Sequence, residues 1–280
     1  MDHRFAVIGG DERMRYAALY LRRIGGETET YAVPGLPDTC AGLKETLRRA
    51  KAVLLPMPAL DGGGHIRNSQ GAALTAEDVA QYVRGDATVF GGRLGHAAEL
   101  IGRRAKTEDY AEWETLQIAN AVLTAEGAVL LAMEQSDASL HGSRCLVIGA
   151  GRIGMRLARL LKALGADVTV TARKDSDFAR IRAERMDADV TGVYGLGLGR
   201  YGFVFNTVPA QVLGAEQIER LRPDCVLIEL ASAPGGFSPE VCRMLDRQYV
   251  AGGGLPGRVA PKTAGETIAA EIAERLRRGA

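Results

Sequence analysis

Short apolar runs rich in β-branched residues alternate along the chain with longer segments whose apolar positions recur every three or four residues. The first pattern predicts strands and the second helices, and their alternation predicts βα units around parallel sheets. In the first half, strands are predicted at Phe5–Ile8, Thr28–Val33, Ala52–Leu55 and Thr88–Phe90. After the first of these, Asp11 stands where a helix N-cap accepts an amide. Met14, Ala17, Ala18, Leu21 and Ile24 then share one face, and Gly25-Gly26 supplies the stop. A helical pattern from about Asp109 to Met133 is long enough to bridge two domains. Gly127 within it is expected to mark a break, since an interior glycine costs ~1 kcal/mol relative to alanine.

The second half restarts with strands at Ser143–Ile148, Asp167–Thr171, Tyr201–Phe205, Val226–Leu230 and Gln248–Val250, and a helix at Arg152–Leu164. A final amphipathic helix, about Thr263–Arg277, carries Ile268, Ile272 and Leu276 and is expected to pack back across the first domain. The reading is a two-domain α/β protein. A smaller flavodoxin-like α/β domain over 1–119, on the substrate side, precedes a Rossmann-type doubly wound parallel sheet over 120–280.

At 280 residues the chain is about twice a typical ~150-residue domain, which agrees with two units. Lys+Arg 35 against Asp+Glu 34 gives a net charge of +1. Neither sign forms a block, so no footprint for nucleic acid or an anionic membrane is expected. Cys40, Cys145, Cys225 and Cys242 are scattered without C-x-x-C spacing, and buried reduced thiols are expected rather than a metal site or disulfides. The opening apolar run, Phe5 to Ile8, is too brief for a signal peptide, and no run approaches the ~18 uninterrupted apolar residues of a membrane span, so a cytoplasmic protein is expected. Glycine is the outlier, at 35 residues where average usage of ~7% would give about 20.

Gly149-Ala150-Gly151-Arg152-Ile153-Gly154 is G-x-G-x-x-G, a weak signal alone. Here it follows the strand Cys145–Ile148, opens the helix carrying Leu157, Leu160 and Leu161, and that helix stops at Gly165 before the strand Val168–Val170. This βαβ context is the one in which the motif holds a dinucleotide. Gly149 permits the turn, Gly151 the approach of a pyrophosphate and Gly154 the packing of helix on strand, with the anion at the helix N-terminus. An Asp or Glu that binds the ribose 2′-OH of NAD is expected about 20 residues further on. The chain has Arg173 and Lys174 there, and a guanidinium suits a 2′-phosphate, which points to NADP with NAD as the alternative. Asp175 is the alternative partner for the ribose. Asn206-Thr207-Val208-Pro209, at the carboxyl end of a strand, is expected to line the nicotinamide ribose, with Glu229-Leu230-Ala231-Ser232 on the same rim.

The run from Gly252 through Leu255-Pro256-Gly257-Arg258-Val259-Ala260-Pro261-Lys262-Thr263-Ala264-Gly265 resembles a segment of the dipicolinate synthase A subunit. Further matches are Asn120–Gly127, His141-Gly142-Ser143, the glycine motif, Asn206–Pro209 and Leu230-Ala231-Ser232-Ala233-Pro234-Gly235-Gly236. Gly9-Gly10-Asp11-Glu12-Arg13 and Leu55–Pro58 match more loosely. The resemblance implies NAD(P)-dependent oxidation of dihydrodipicolinate, or its hydroxy-tetrahydro precursor, to dipicolinate in the mother cell of a sporulating bacterium. It also implies a partner, the flavoprotein-like dipicolinate synthase B subunit; self-association stays open.

A dicarboxylate calls for cations and N–H donors in a cleft between domains. Arg13 and Arg93 are candidate substrate residues, with His65 and Arg67 in a loop whose Gly62-Gly63-Gly64 run makes it a candidate lid. His96 is a candidate acid or base. The family motifs add Thr124 for substrate, Glu126 to take a proton and Lys262 for a carboxylate. A D-2-hydroxy-acid dehydrogenase would read similarly but needs a catalytic His, and none follows His141. A non-catalytic dinucleotide-binding subunit is the remaining alternative.

Overall fold

The structure is a computed structural model that describes residues 4–68, 70–71, 73–194 and 196–279. It divides into two compact units, residues 1–119 with 260–280, and residues 120–259. The first runs β1 (Arg4–Ile8), α1 (Glu12–Arg23), β2 (Glu27–Tyr31), α2 (Leu43–Arg49), β3 (Ala52–Leu54), α3 (Ala76–Tyr82), β4 (Thr88–Gly91), α4 (Ala97–Gly102) and β5 (Lys106–Asp109). A 3-10 turn at Tyr110–Glu112 leads into α5 (Glu114–Glu134), which passes through the division. The second unit continues with β6 (Arg144–Ile148), α6 (Arg152–Ala163), β7 (Asp167–Ala172), α7 (Asp175–Ala183), β8 (Asp187–Val190), β9 (Phe203–Asn206), α8 (Ala215–Glu219), β10 (Val226–Glu229), α9 (Pro239–Met244), β11 (Gln248–Ala251) and α10 (Leu255–Val259). The chain then returns to the first unit as α11 (Pro261–Arg278).

Both sheets are parallel. The first has the order β2-β1-β3-β4-β5, with Val7 of β1 opposite Thr30 and Leu54. The second has the order β11-β10-β9-β6-β7-β8, with Val147 of β6 opposite Val170 and Phe205. These are the flavodoxin-like and Rossmann orders, and the fold class expected from the alternation is the one found. Each sheet reverses its winding at one point, between β1 and β3 and between β6 and β9, where ligands of open α/β sheets bind outside the carboxyl ends.

The central strands are apolar because helices cover both faces: Phe5–Ile8 and Cys145–Ile148 are all buried. α1 starts where predicted, its N-cap Asp11 accepting the Arg13 amide at 3.0 Å. It packs on α11, whose Ile268 and Ile272 join Met14, Ala17 and Leu21 in one buried cluster. Full burial of each isoleucine contributes about 1.5–3 kcal/mol. The Arg275 guanidinium lies 3.8 Å from the Trp113 ring centre. α5 is long and apolar enough to cross a membrane by length and composition. Its most apolar window, of mean hydropathy 1.5, is 56% buried, and Ala125, Ala128, Leu131 and Ala132 belong to the core of the second unit.

Three features differ from the sequence expectations. β5 and β8, Lys-Thr-Glu-Asp and Asp-Ala-Asp-Val, carry no apolar run because each is an edge strand, with one flank and much of each face in water. Gly127 does not break α5; a Cβ there would stand 3.0 Å from Leu255 Cβ, so the glycine admits the leucine of α10. Residues 260–280 group with the first unit rather than the second. All four cysteines are free, and burial pushes the Cys145 and Cys225 thiols up to about 12.

α11 meets α1 at Gly265, where a Cβ would lie 2.1 Å from the Arg13 carbonyl oxygen. Gly265→Ala should therefore destabilise by about 1–3 kcal/mol despite alanine's better helix propensity, because a backbone atom must move. Thermal denaturation should show a drop in Tm of about 3–10 °C. An unchanged Tm would mean that the two helices separate at no cost.

Candidate dinucleotide-binding site

The three glycines of the motif do three different things. Gly149, after buried β6, has φ +101, a conformation that suits glycine, and a Cβ there would stand 2.5 Å from Thr207 Oγ1. Gly154, in the first turn of α6, brings the helix against its own entry loop, and a Cβ would lie 1.9 Å from the Gly149 carbonyl oxygen. Gly151 is required by neither constraint. Its φ of −77° suits any residue, and no heavy atom lies within 4 Å of its ideal Cβ. It is the N-cap of α6, without a side-chain cap, and the first turn of that helix has no acid to offset the positive end of the dipole. A cavity of ≈ 590 Å³ opens here, lined by Gly151, Arg152, Ile153, Arg159, Arg180 and Thr207. A glycine kept where only empty space adjoins it, at a cationic helix start, fits a pyrophosphate.

The comparable turn of the first unit is closed by its own chain. Gly10 N–H donates to the Arg67 carbonyl at 2.7 Å, and Cβ atoms at Gly9 and Gly10 would meet Arg67 O at 2.8 Å and Met14 Cγ at 2.2 Å.

At the carboxyl end of β7, Arg173 and Lys174 are exposed, and among the described residues neither has an ion-pair partner. Asp175 opens α7 and serves the N-terminal end of that helix. The Arg180 side chain reaches back from α7 to the Ala150 carbonyl and pairs with Asp177 at 2.8 Å. Sequence reasoning missed Arg180, which has no motif to mark it.

Across the switch point, the rim at β9 and β10 rests on two buried polar residues. Asn206, with no exposed surface, accepts from Val208 N–H at 3.0 Å and donates to the Val208 carbonyl and to Glu229 Oε1, at 2.8 and 2.7 Å. It therefore shapes the Thr207-Val208-Pro209 turn from beneath instead of lining a ribose with its own side chain. Thr207 Oγ1 donates to the Ile148 carbonyl at 2.8 Å, tying this turn to β6. Ala231 N–H donates to Glu229 Oε1 at 2.9 Å.

The remaining expected residues are dispersed. Arg13 is 8% exposed; its Nε and Nη2 grip Asp11 at 2.9 and 2.8 Å, and Nη2 also donates to the Met57 carbonyl at 2.5 Å. It joins the turns after β1 and β3 and is engaged by protein groups, where the sequence predicts a free substrate cation. Burial opposes the Asp11 charge, but the Arg13 guanidinium outweighs it and holds the carboxyl below its usual range. Arg93, with φ +53, and His96, at the start of α4, are exposed on one turn after β4, which Asp109 fixes by accepting Arg93 N–H and Leu94 N–H at 2.9 and 2.8 Å. His65 and the Gly62–Gly64 run form a turn closed on Asp61, which accepts Gly63 N–H and His65 N–H; Ser69 and Ala72 of that loop lie outside the described residues. Thr124 is buried in α5, its hydroxyl donating to the Asn120 carbonyl at 2.7 Å, while Glu126 on the same helix is exposed. Lys262 is exposed in the first turn of α11.

The second unit is thus a nicotinamide-dinucleotide-binding domain of the oxidoreductase type. Residues 124–255 match the family model described as D-isomer specific 2-hydroxyacid dehydrogenase, NAD binding domain. Residues 4–106 match the model for the N-terminal domain of the dipicolinate synthase A subunit. Over 98% of its length the chain is 29% identical to the dipicolinate synthase A subunit of Bacillus subtilis (strain 168), covering 95% of that protein. The crystal structures of the dipicolinate synthase A subunit from Bacillus halodurans and from Bacillus subtilis both superpose with a TM-score of 0.87. Their identities are 27% and 26%, with 98% and 99% of this chain and 97% of each of theirs covered. The resemblance to this dipicolinate synthase component drawn from the motifs therefore extends over the whole chain. A transhydrogenase from Sinorhizobium meliloti, 14% identical over 97% of this chain and 94% of its own with a TM-score of 0.66, shares the fold.

Two substitutions separate the glycine roles. Gly151→Ala should keep its Tm, since the Cβ meets nothing, while calorimetry should show dinucleotide affinity reduced at least about tenfold. Gly154→Ala should lower the Tm as well, because its Cβ strikes the Gly149 carbonyl. Wild-type affinity in Gly151→Ala would refute the assignment.

The Asp11–Arg13 pair predicts a pH dependence in the first unit. The folded pKa of Asp11 lies below the ordinary aspartate value of 3.8, so the contribution is complete above that value and is lost as pH falls through the folded pKa. Asp11→Asn should be less stable than wild type in urea at about pH 7, and the two should converge near pH 3. A difference that stays constant with pH would exclude the ion pair as its cause.

Proposed function

We propose that the chain is the dinucleotide-binding component of an NADP-dependent dipicolinate-forming oxidoreductase, acting on dihydrodipicolinate or its hydroxy-tetrahydro precursor. The observation that carries the reading is the open space over Gly151 at the N-terminus of α6, joined to the resemblance over the full chain. Preference for NADP rests on Arg173 and Lys174, exposed cations where an NAD-selective site would place a carboxylate.

The nicotinamide, when bound, accepts a hydride. The α6 amides hold the pyrophosphate, Arg173 and Lys174 take the 2′-phosphate, and the cations Arg93 and Lys262 serve the substrate carboxylates. Glu126 accepts the proton that leaves the ring. For the dihydro substrate the ring gives up one hydride and one proton, two electrons in all, and becomes aromatic, while NADP+ is reduced. Arg13 holds the β1 and β3 turns that carry this edge of the first sheet, and Thr124 stiffens α5 beside Glu126. His96, on the turn with Arg93, is the second candidate proton carrier. A flavoprotein-like B subunit in the cytoplasm of the mother cell completes the reading, in line with the names of the relatives.

The test is the purified chain with dihydrodipicolinate and NADP+. NADPH formation supports the enzyme, whereas tight cofactor binding without turnover favours a component that acts only with its partner. In Arg173→Ala, NADP+ affinity should fall at least about tenfold with NAD+ affinity unchanged, the loss of one charge-assisted contact. Unaltered discrimination would remove Arg173 from the 2′-phosphate site.

A further inference from the structure

Glu229 is a carboxylate with 6% exposure at the end of β10, and among the described residues no cation pairs with it. Four N–H groups meet it instead. Oε1 accepts from Asn206 Nδ2 at 2.7 Å and Ala231 N–H at 2.9 Å; Oε2 accepts from Gly236 N–H at 2.7 Å and Phe237 N–H at 3.3 Å. An anion removed from water is costly unless its lone pairs are met, and here both oxygens are doubly bonded to donors.

The chain is wrapped closely around this group. A Cβ on Gly235 would stand 3.0 Å from Glu229 Oε2, one on Gly236 would stand 2.4 Å from Asn206 Nδ2, and one on Gly252 would stand 2.9 Å from the Glu229 carbonyl oxygen. The donors belong to two segments that leave neighbouring strands. One is the Asn206–Val208 turn after β9, and the other is the Ala231–Phe237 loop after β10. Both lie on the side of the switch point away from β7, where the adenosine ribose is expected, so they fall to the nicotinamide half.

We propose that Glu229 is the positioning residue for the nicotinamide half of the cofactor site, its carboxylate locking the two rim segments into one register through Asn206 on one side and the Gly236 and Phe237 amides on the other. This rests on the dinucleotide reading above. Glu229 does not touch the ligand; it sets where Thr207, Val208, Pro209 and Ala231 stand.

Calorimetry with two probes tests the role: NADPH, and the fragment 2′-phospho-ADP-ribose, which lacks the nicotinamide. In Glu229→Ala, NADPH affinity should fall at least about tenfold while the fragment binds within about twofold of wild type, and the fluorescence enhancement of bound NADPH should be lost. Glu229→Gln should fall between, because its amide NH2 faces the Gly236 and Phe237 donors or the Asn206 and Ala231 donors. It supplies the same contrast if the alanine variant does not fold. Equal losses for both probes, or no loss for either, would overturn the proposal and leave Glu229 a purely structural anion. A wild-type chain that binds neither probe would overturn the dinucleotide reading itself, and this role with it.

Discussion

The second unit depends on how closely α6 approaches the loop that feeds it. With Gly154 against the Gly149 carbonyl, the helix begins almost on top of the strand end, so its unpaired amides converge on one point outside β6. A single methyl at Gly154 would push the helix start away and turn a focused set of donors into a diffuse one. The positive φ of Gly149 and the Thr207 bond to the Ile148 carbonyl maintain the same close approach from the other side. Gly151 is left facing an open cavity because its neighbours have already satisfied the demands of the fold.

The first unit shows what happens to a similar turn when the chain fills it. It too has a glycine pair after the strand at its switch point, but the 66–68 segment bonds into that turn and the Arg13 guanidinium ties it to the turn after β3. Two sheets of related winding therefore use the same place differently. One presents backbone donors to the outside, and the other uses them internally, leaving exposed side chains such as Arg93 and His96 at its edge.

Much of this was legible in the sequence, and what was not has physical causes. The central strands read clearly because burial on both faces leaves unbroken apolar runs, and the glycine motif read clearly because its βαβ context is local. β5 and β8 were illegible because edge strands need no apolar alternation. The purpose of Gly127 was hidden because its partner, Leu255, lies far along the chain. For the site, residue types were readable and engagement was not: Arg13 and Thr124 look like ligand-binding groups until their long-range and main-chain partners are seen. Glu229 was visible as an acid on the rim, but its four N–H partners come from a loop and a neighbouring strand that spacing alone does not bring together.

The placement of α11 has a consequence for biogenesis. Its isoleucines complete the cluster around Met14, Ala17 and Leu21, yet it follows the entire second unit in the chain. On the ribosome, the amino-terminal sheet emerges first but waits with that face of α1 uncovered until residues 260–278 have been made. The dinucleotide-binding unit, contiguous in sequence, is free to close sooner. The usual order, in which the leading domain matures first, is reversed here, and the interval with α1 bare is when the nascent chain most needs protection from its neighbours.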